Sequence, residues 1–253
     1  MLSAAGDIDL SLYVLVAVVS FFASFIGGVT GYGTGLLLPP ILLPIVGPQY
    51  VVPIVSLSAL LTNGSRVAAF RADLDAGKAA LVTAVALPTC LVGAYGYTRL
   101  SGAGVSVLLG TVLVLLVPLR RWLKRRHGHL GRNGLAAVGA GYGLLTGGTS
   151  GAGVVLLSLL LAAGLQGSAV IATDAGISLL LGIAKVLVFQ SAGALPLSAW
   201  LMAGLIGFAA LPGPFLAKRM TRTLTHRTHA VILDGVVVFG GGLLLLQGLR
   251  SLH

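Results

Sequence analysis

Long apolar runs separated by short polar connections make up most of the chain. Ten runs can be marked, at residues 10–26, 34–47, 50–70, 77–98, 103–119, 134–146, 152–165, 168–189, 195–217 and 229–249. A helix that crosses a bilayer needs about 20 residues, with about 17 as the lower limit. The second, sixth and seventh runs fall below that limit, so we expect some helices to enter the membrane without crossing it. The pattern predicts an all-α integral membrane protein.

Glycine-rich stretches interrupt this pattern at two places, residues 27–35 and 147–153, each beside a short apolar run. Irregular backbone survives at membrane depth only inside protein or along a polar cavity, because every N–H and C=O group needs a partner there. Two matched interruptions in the two halves of a chain are typical of a transporter's binding site. We therefore expect broken or re-entrant helices near the midplane, with a site between them.

The two glycine-rich stretches belong to a repeat. Glycines recur at a spacing of 120 residues, and Phe70 falls 119 residues before Phe189; the glycine pairs are Gly27 and Gly147, Gly28 and Gly148, Gly31 and Gly151, Gly33 and Gly153, and Gly47 and Gly167. The shared spacing favours duplication over a chance match between glycine-rich sequences. We divide the chain into a first transmembrane repeat (1–119), a basic linker (120–133) and a second transmembrane repeat (134–253).

Charge supports the membrane assignment. Only 9% of the residues are charged, whereas soluble domains carry about 25%, and the mean hydropathy is +1.03. The net charge of +10 comes from cations in short connections, at 66–78, in the linker and at 218–227. This distribution predicts a protein in the lipid bilayer with these loops in the cytoplasm, and it argues against nucleic-acid binding.

Equivalent loops of the two repeats differ in charge. The connection near 71–78 is basic, but its counterpart at 190–194 has no charge. Equivalent loops therefore lie on opposite sides of the membrane, which predicts two inverted repeats of about five apolar segments each. Two parallel halves would place equivalent loops on one side.

The glycine-rich stretches also supply candidate chemistry. A broken helix leaves N–H groups at the start of the next half-helix, here near Thr34 and Val154, with the positive end of its dipole pointing inward. Such ends bind anions, and hydroxyl groups add donors. The alternative is close helix packing by small residues. The candidate substrate-binding hydroxyls are Thr30, Tyr32, Thr34, Thr149 and Ser150.

Charged residues inside apolar runs add further candidates. Arg66 and Lys185 occupy matched positions 119 residues apart. A cation within a membrane helix is costly, so it either faces a cavity or partner or extends toward the membrane surface. Asn63 shares a helix face with Arg66. Asp174 is a candidate for a coupling proton or for pairing with a basic side chain, the alternative being a carboxylate at an interfacial helix start.

Two other classes of function were weighed. The run 29–33 resembles a potassium-channel filter, which would make the protein an ion channel, but the second glycine-rich stretch does not preserve that pattern. A membrane-embedded enzyme needs a catalytic constellation, and none is evident. No metal or cofactor site is predicted, and we expect no enzymatic activity.

The glycine patterns at 22–35 and 147–153, with the basic linker between the halves, resemble those of the sulfite exporter TauE/SafE family, also described as four-toluene-sulfonate uptake permeases. The resemblance spans nearly the whole chain. It implies a transporter of the bacterial inner membrane that moves sulfite, sulfoacetate or other sulfur-containing or organic anions. From the inverted repeats we expect it to work by alternating access. The resemblance also implies that the five hydroxyl residues line the substrate site. The direction of transport, the coupling ion and the oligomeric state, with a homodimer as one option, stay open.

Overall fold

The computed structural model describes residues 10–30, 33–125 and 131–220. Every regular element in these ranges is helical: α1 (Leu10–Thr30), α2 (Thr34–Val46), α3 (Pro48–Phe70), a 3-10 turn (Arg71–Asp73), α4 (Ala76–Thr98), α5 (Gly102–Arg125), α6 (Arg132–Gly148), α7 (Gly153–Ala162), α8 (Ser168–Ser191), α9 (Leu197–Ala210) and α10 (Gly213–Met220). The predicted all-α class is therefore confirmed for the described residues. The tenth apolar run lies outside them, as does the middle of the linker.

Five helical stretches among the described residues are long and apolar enough to cross a bilayer: Leu10–Thr30, Pro48–Asp73, Ala76–Thr98, Ser168–Ser191 and Leu197–Arg219. Side chains of these stretches that face away from the protein include large apolar groups, such as Phe22, Leu187 and Phe208. Such faces are compatible with lipid and unfavourable in water. The chain is a multi-pass membrane protein.

Both predicted helix breaks are present. The first half breaks between Thr30, where α1 ends, and Thr34, where α2 begins; the second breaks between Gly148 and Gly153. The predicted half-helix starts therefore agree with the structure at Thr34 and to within one residue at Val154. Both following helices are short, with 13 residues in α2 and 10 in α7. Whether they are re-entrant stays a prediction.

The ninth apolar run forms one candidate span, Leu197–Arg219, with a turn inside it. Helix α9 ends at Ala210, and α10 begins at Gly213 after a turn at Leu211 and Pro212. Proline has no N–H group to donate, and its ring opposes the carbonyl of the preceding turn.

Each half of the chain packs helices against the other half. Helix α4 of the first half lies along α6 of the second. Helices α9 and α10, which the 120-residue spacing matches to α4, lie along α1, which the same spacing matches to α6. A Cβ atom on Gly93 would lie 2.9 Å from the Gly148 nitrogen, and one on Gly213 would lie 2.6 Å from the Phe25 nitrogen. Gly93 and Gly213 are themselves 120 residues apart. Both close approaches need a residue without a side chain.

Helices α3 and α8 pack against each other, and both also contact helices of the other half: α3 contacts α9, and α8 contacts α4. One apolar core surrounds the first half of α3 and the end of α8, with Leu38, Ile54 and Phe189 fully buried. A second core joins α4, α6 and α7 to the first half of α8. Polar residues lie between the two cores, and they define the candidate site.

Candidate functional site

A cavity of about 110 Å³ lies between the two helix breaks. Its walls come from α1, α2, α3, α6, α7 and α8, so both halves contribute. The structure brings seven of the nine predicted site residues to this cavity: Thr34, Asn63, Arg66, Thr149, Ser150, Asp174 and Lys185. They lie on three helices, α2, α3 and α8, and on the break between α6 and α7.

The two breaks touch each other at the cavity wall. The Ser150 hydroxyl donates a hydrogen bond of 2.7 Å to the Gly35 carbonyl oxygen. A Cβ atom on Gly35 would lie 3.0 Å from the Gly151 nitrogen. Gly151 has a φ of 87°, in the left-handed region that favours glycine. The glycines therefore allow the two segments to approach closely, and the Ser150 hydroxyl satisfies the Gly35 carbonyl group.

Arg66 of α3 and Asp174 of α8 form an ion pair that joins the two halves. The distance from Arg66 Nη2 to Asp174 Oδ2 is 3.2 Å, and the exposed fractions of the two side chains are 11% and 1%. The same guanidinium nitrogen donates to Asn63 Oδ1, as the shared helix face predicted. Asp174 is thus buried and paired with a cation.

Lys185 lies on the other side of the cavity, with 7% of its surface exposed. Its ammonium group donates hydrogen bonds to the carbonyl oxygens of Thr146, at 2.6 Å, and Thr149, at 3.1 Å. The side chain therefore points into the protein, and extension toward the membrane surface is excluded in this structure.

These two carbonyl groups lie at the end of α6, where the helix breaks. The last carbonyls of a helix have no partner within it and carry the negative end of the helix dipole. The Lys185 ammonium satisfies two of these groups and balances their partial charge. An ammonium has three donors, which leaves one N–H of Lys185 that these two bonds do not use.

The predicted hydroxyl residues differ in position. Thr149 donates to the Leu145 carbonyl oxygen of α6 at 2.6 Å, and Thr30 donates to the Ile26 carbonyl oxygen of its own helix at 2.9 Å. Thr30 is not among the residues that line the cavity. Tyr32 lies outside the described residues. A hydroxyl has one proton to donate, so in this structure Thr149 and Ser150 face the cavity while donating to backbone carbonyls.

Several lining residues were not predicted, and most share a helix face with one that was. Ser178 lies one turn after Asp174 in α8, on the face that leads to Lys185. Tyr142 and Thr146 precede Thr149 at helical spacing in α6. This i, i+4 pattern around each candidate is the signal that could have found them. The additional polar lining residues are Ser24, Ser56, Thr62, Tyr142, Thr146 and Ser178.

The charge of the cavity comes from three side chains. Among the described residues that line it, Arg66 and Lys185 are cations and Asp174 is an anion. The described part of the chain holds no cluster of three His, Cys, Asp or Glu residues that could bind a metal. The arrangement of two cations, many neutral polar groups and two helix starts favours a small anion as ligand.

A model of the sulfite exporter TauE/SafE family matches residues 16–244, which includes both halves and every charged residue of the cavity. The chain belongs to the sulfite exporter TauE/SafE family. Comparison with curated proteins and with solved structures finds no match. Membership in TauE/SafE points to a membrane transporter of a sulfur-containing anion and is consistent with a protein that is not an enzyme. It gives no support to the channel alternative, and Val29 and Thr30 are helical in the structure.

Proposed function

We propose that this protein is a secondary transporter of small sulfur-containing or organic anions, such as sulfite, sulfoacetate or other sulfonates. The main observation behind the proposal is the polar cavity between the two helix breaks. Arg66 and Lys185 both line it, so one bound anion could contact both cations. A family described as sulfite exporters makes a sulfur oxyanion the first ligand to test.

The binding of an anion in this cavity follows from its charges. Charges interact more strongly in a partly buried site than in water, because the effective dielectric constant is lower. The N-terminal N–H groups of α2 and α7 add donors at Thr34 and Gly153, which both line the cavity. The unused N–H of Lys185 and the guanidinium of Arg66 would provide charge-assisted hydrogen bonds to the anion's oxygens.

Inverted repeats explain the arrangement of α3 and α8. Arg66 pairs with Asp174, while Leu60, six residues earlier in α3, lies beside Gly182, eight residues later in α8. The two matched helices therefore run in opposite directions, as inverted topology requires. A parallel duplication would orient matched helices the same way. Inverted repeats around a central site support alternating access by movement of one half against the other.

The basic connections indicate which end of the protein faces the cytoplasm. The Lys218 ammonium at the end of α10 donates to the Ala69 carbonyl oxygen at the end of α3. Helices α4 and α6 run in the same direction, because Val85 lies beside Gly139 and Gly93 beside Gly148. These contacts support a common side for all three basic regions, which we assign to the cytoplasm of a bacterial inner membrane.

Anion counterflow in proteoliposomes tests this function. Vesicles loaded with unlabelled sulfite are expected to accumulate external labelled sulfite transiently and with saturation, because a carrier exchanges bound substrate across the membrane. A channel would dissipate the gradient without counterflow. Labelled sulfoacetate in the same assay measures how far the cavity accepts an organic tail.

Substitution of Lys185 tests whether the transported anion binds in the cavity. Lys185→Ala is expected to lower sulfite affinity by about tenfold or more, since a charge-assisted hydrogen bond contributes about 1.5 to 3 kcal/mol. The matched control is Lys218→Ala, which removes the same group from a lysine that binds the Ala69 carbonyl outside the cavity. Equal losses in the two variants, or absence of anion flux in the wild type, would contradict the proposal.

A further inference from the structure

The cavity holds one buried carboxylate where an anion site would be expected to hold none. Asp174 is 1% exposed, and its partner Arg66 reaches it from the opposite half of the protein. The other carboxylates of the described residues, at Asp73 and Asp75, lie in the connection between α3 and α4. A negative group beside the ligand space opposes every anionic ligand, so its presence calls for an explanation.

We infer that Asp174 sets the charge of the anion that the cavity accepts, favouring a singly charged anion over a doubly charged one. The inference rests on the proposed function, since it concerns the selectivity of the same site. It follows from the balance of the three charges on the cavity wall and from their depth.

Two cations and one carboxylate leave the described lining with one positive charge. A singly charged anion neutralises that charge. A doubly charged anion leaves one negative charge without a partner among largely buried side chains, where uncompensated charge is costly. Asp174 also engages the Arg66 guanidinium at 3.2 Å, so the anion shares this cation with it. Lys185 donates instead to the carbonyl groups of Thr146 and Thr149, and among the described residues no carboxylate forms an ion pair with it.

Replacement of the carboxylate by an amide separates charge from shape. Asp174→Asn keeps the size of the side chain and an oxygen that can accept from Arg66, which also retains its bond to Asn63. The variant removes one negative charge and leaves the lining with two positive charges. Two positive charges would neutralise a doubly charged anion.

The test measures dissociation constants for methanesulfonate and sulfate by calorimetry on the purified full-length protein at constant pH. The two probes are tetrahedral and of similar size, but they carry one and two charges. The wild type is expected to bind methanesulfonate about tenfold more tightly than sulfate, or by a larger factor. Asp174→Asn is expected to reduce this ratio by about tenfold or more, mainly by strengthening sulfate binding.

A second carboxylate provides the matched control. Asp75 also pairs with a cation, Lys78, at 2.7 Å, but it lies outside the cavity. Asp75→Asn removes the same charge from the protein and should leave the ratio unchanged. If Asp174→Asn cannot be purified folded, Lys185→Gln tests the same balance in the opposite direction: the lining becomes neutral, and the preference for methanesulfonate should increase.

The outcomes distinguish the inference from the function on which it rests. If the wild type binds sulfate as tightly as methanesulfonate, or if the ratio is the same in Asp174→Asn and the wild type, the inference is overturned while anion binding stands. If neither probe nor sulfite binds the folded wild type, the proposed function fails, and the inference fails with it.

Discussion

Arg66 and Lys185 occupy matched positions in the two halves, yet the structure neutralises them in different ways. Arg66 pairs with the Asp174 carboxylate of the other half and with Asn63 of its own helix. Lys185 instead binds the carbonyl groups at the broken end of α6. A full countercharge and a pair of dipoles are not equivalent, because only the first cancels the formal charge of the cation. The two positions are thus unequal within one cavity, and the remaining positive charge is concentrated at Lys185.

Removal of Arg66 tests the stronger of these two arrangements. Arg66→Ala leaves Asp174 buried without its cation, and breaking a buried ion pair in this way costs about 3 to 5 kcal/mol. Lys185→Ala should cost less, since the released carbonyl groups carry only partial charge. Thermal unfolding in detergent measures both.

The double variant Arg66→Ala with Asp174→Ala separates the ion pair from simple loss of packing. It should recover much of the stability lost in Arg66→Ala, since neither charge is then left alone. A Lys185→Ala variant less stable than Arg66→Ala would reverse the comparison between the two cations.

The close approaches between the halves offer a second comparison. Gly93→Ala and Gly213→Ala each place a methyl group against backbone of the opposite half, and overpacking of this kind costs about 1 to 3 kcal/mol. Gly96, on the same helix as Gly93, has no atom within 4 Å of an added Cβ. Gly96→Ala should therefore be neutral or stabilising, by up to about 1 kcal/mol from helix propensity. Similar unfolding temperatures for all three variants would argue against matched packing.

The hydrogen bond between the two breaks should make a smaller contribution. Ser150→Ala removes the bond to the Gly35 carbonyl oxygen, and we expect a loss of about 0.5 to 1.5 kcal/mol. Ser158 supplies the control, because its hydroxyl donates to Val154 within α7. Ser158→Ala should change stability less. The expected order would be wrong if unfolding temperatures fell equally in the two variants.

The smallest effect is expected for the ion pair between Asp75 and Lys78, which is more exposed than the pair between Arg66 and Asp174. The Lys78 side chain, which hydrogen-bonds the Asp75 carboxylate, lowers the pKa of Asp75 below its usual range. A carboxyl group with a lowered pKa stabilises the folded state above its unfolded pKa, and this contribution disappears as the pH falls through the folded value. The stability difference between wild type and Asp75→Asn should therefore be present at pH 7, decrease below about pH 4 and vanish once the pH is below the lowered pKa of Asp75. A difference that stays the same from pH 7 to below that pKa would exclude the charge as its cause.

Much of this arrangement could be predicted from local sequence. The helix breaks follow from glycines that cannot sustain a membrane helix, and the equivalence of Arg66 and Lys185 follows from their spacing. The family resemblance seen in the glycine patterns is confirmed by the match over residues 16–244.

The pairing of Arg66 with Asp174 could not be predicted, because the two residues are 108 positions apart in the chain and meet only where α3 crosses α8. Nor does sequence reveal that Lys185 binds backbone carbonyls, since these have no sequence signature. The hydroxyl protons of Thr30, Thr149 and Ser150 were expected to face a ligand, whereas helix and break geometry directs them to nearby carbonyl oxygens.

The central claim is that an anion binds between the two helix breaks, within reach of Arg66 and Lys185. Crystals of the protein equilibrated with selenite, a heavier analogue of sulfite, test it directly through anomalous diffraction at the selenium edge. The account predicts a selenium peak inside the cavity, between the Arg66 guanidinium and the Lys185 ammonium, and loss of that peak in Lys185→Ala crystals. A peak elsewhere in the protein, or an empty cavity in crystals of protein that binds selenite in solution, would contradict it.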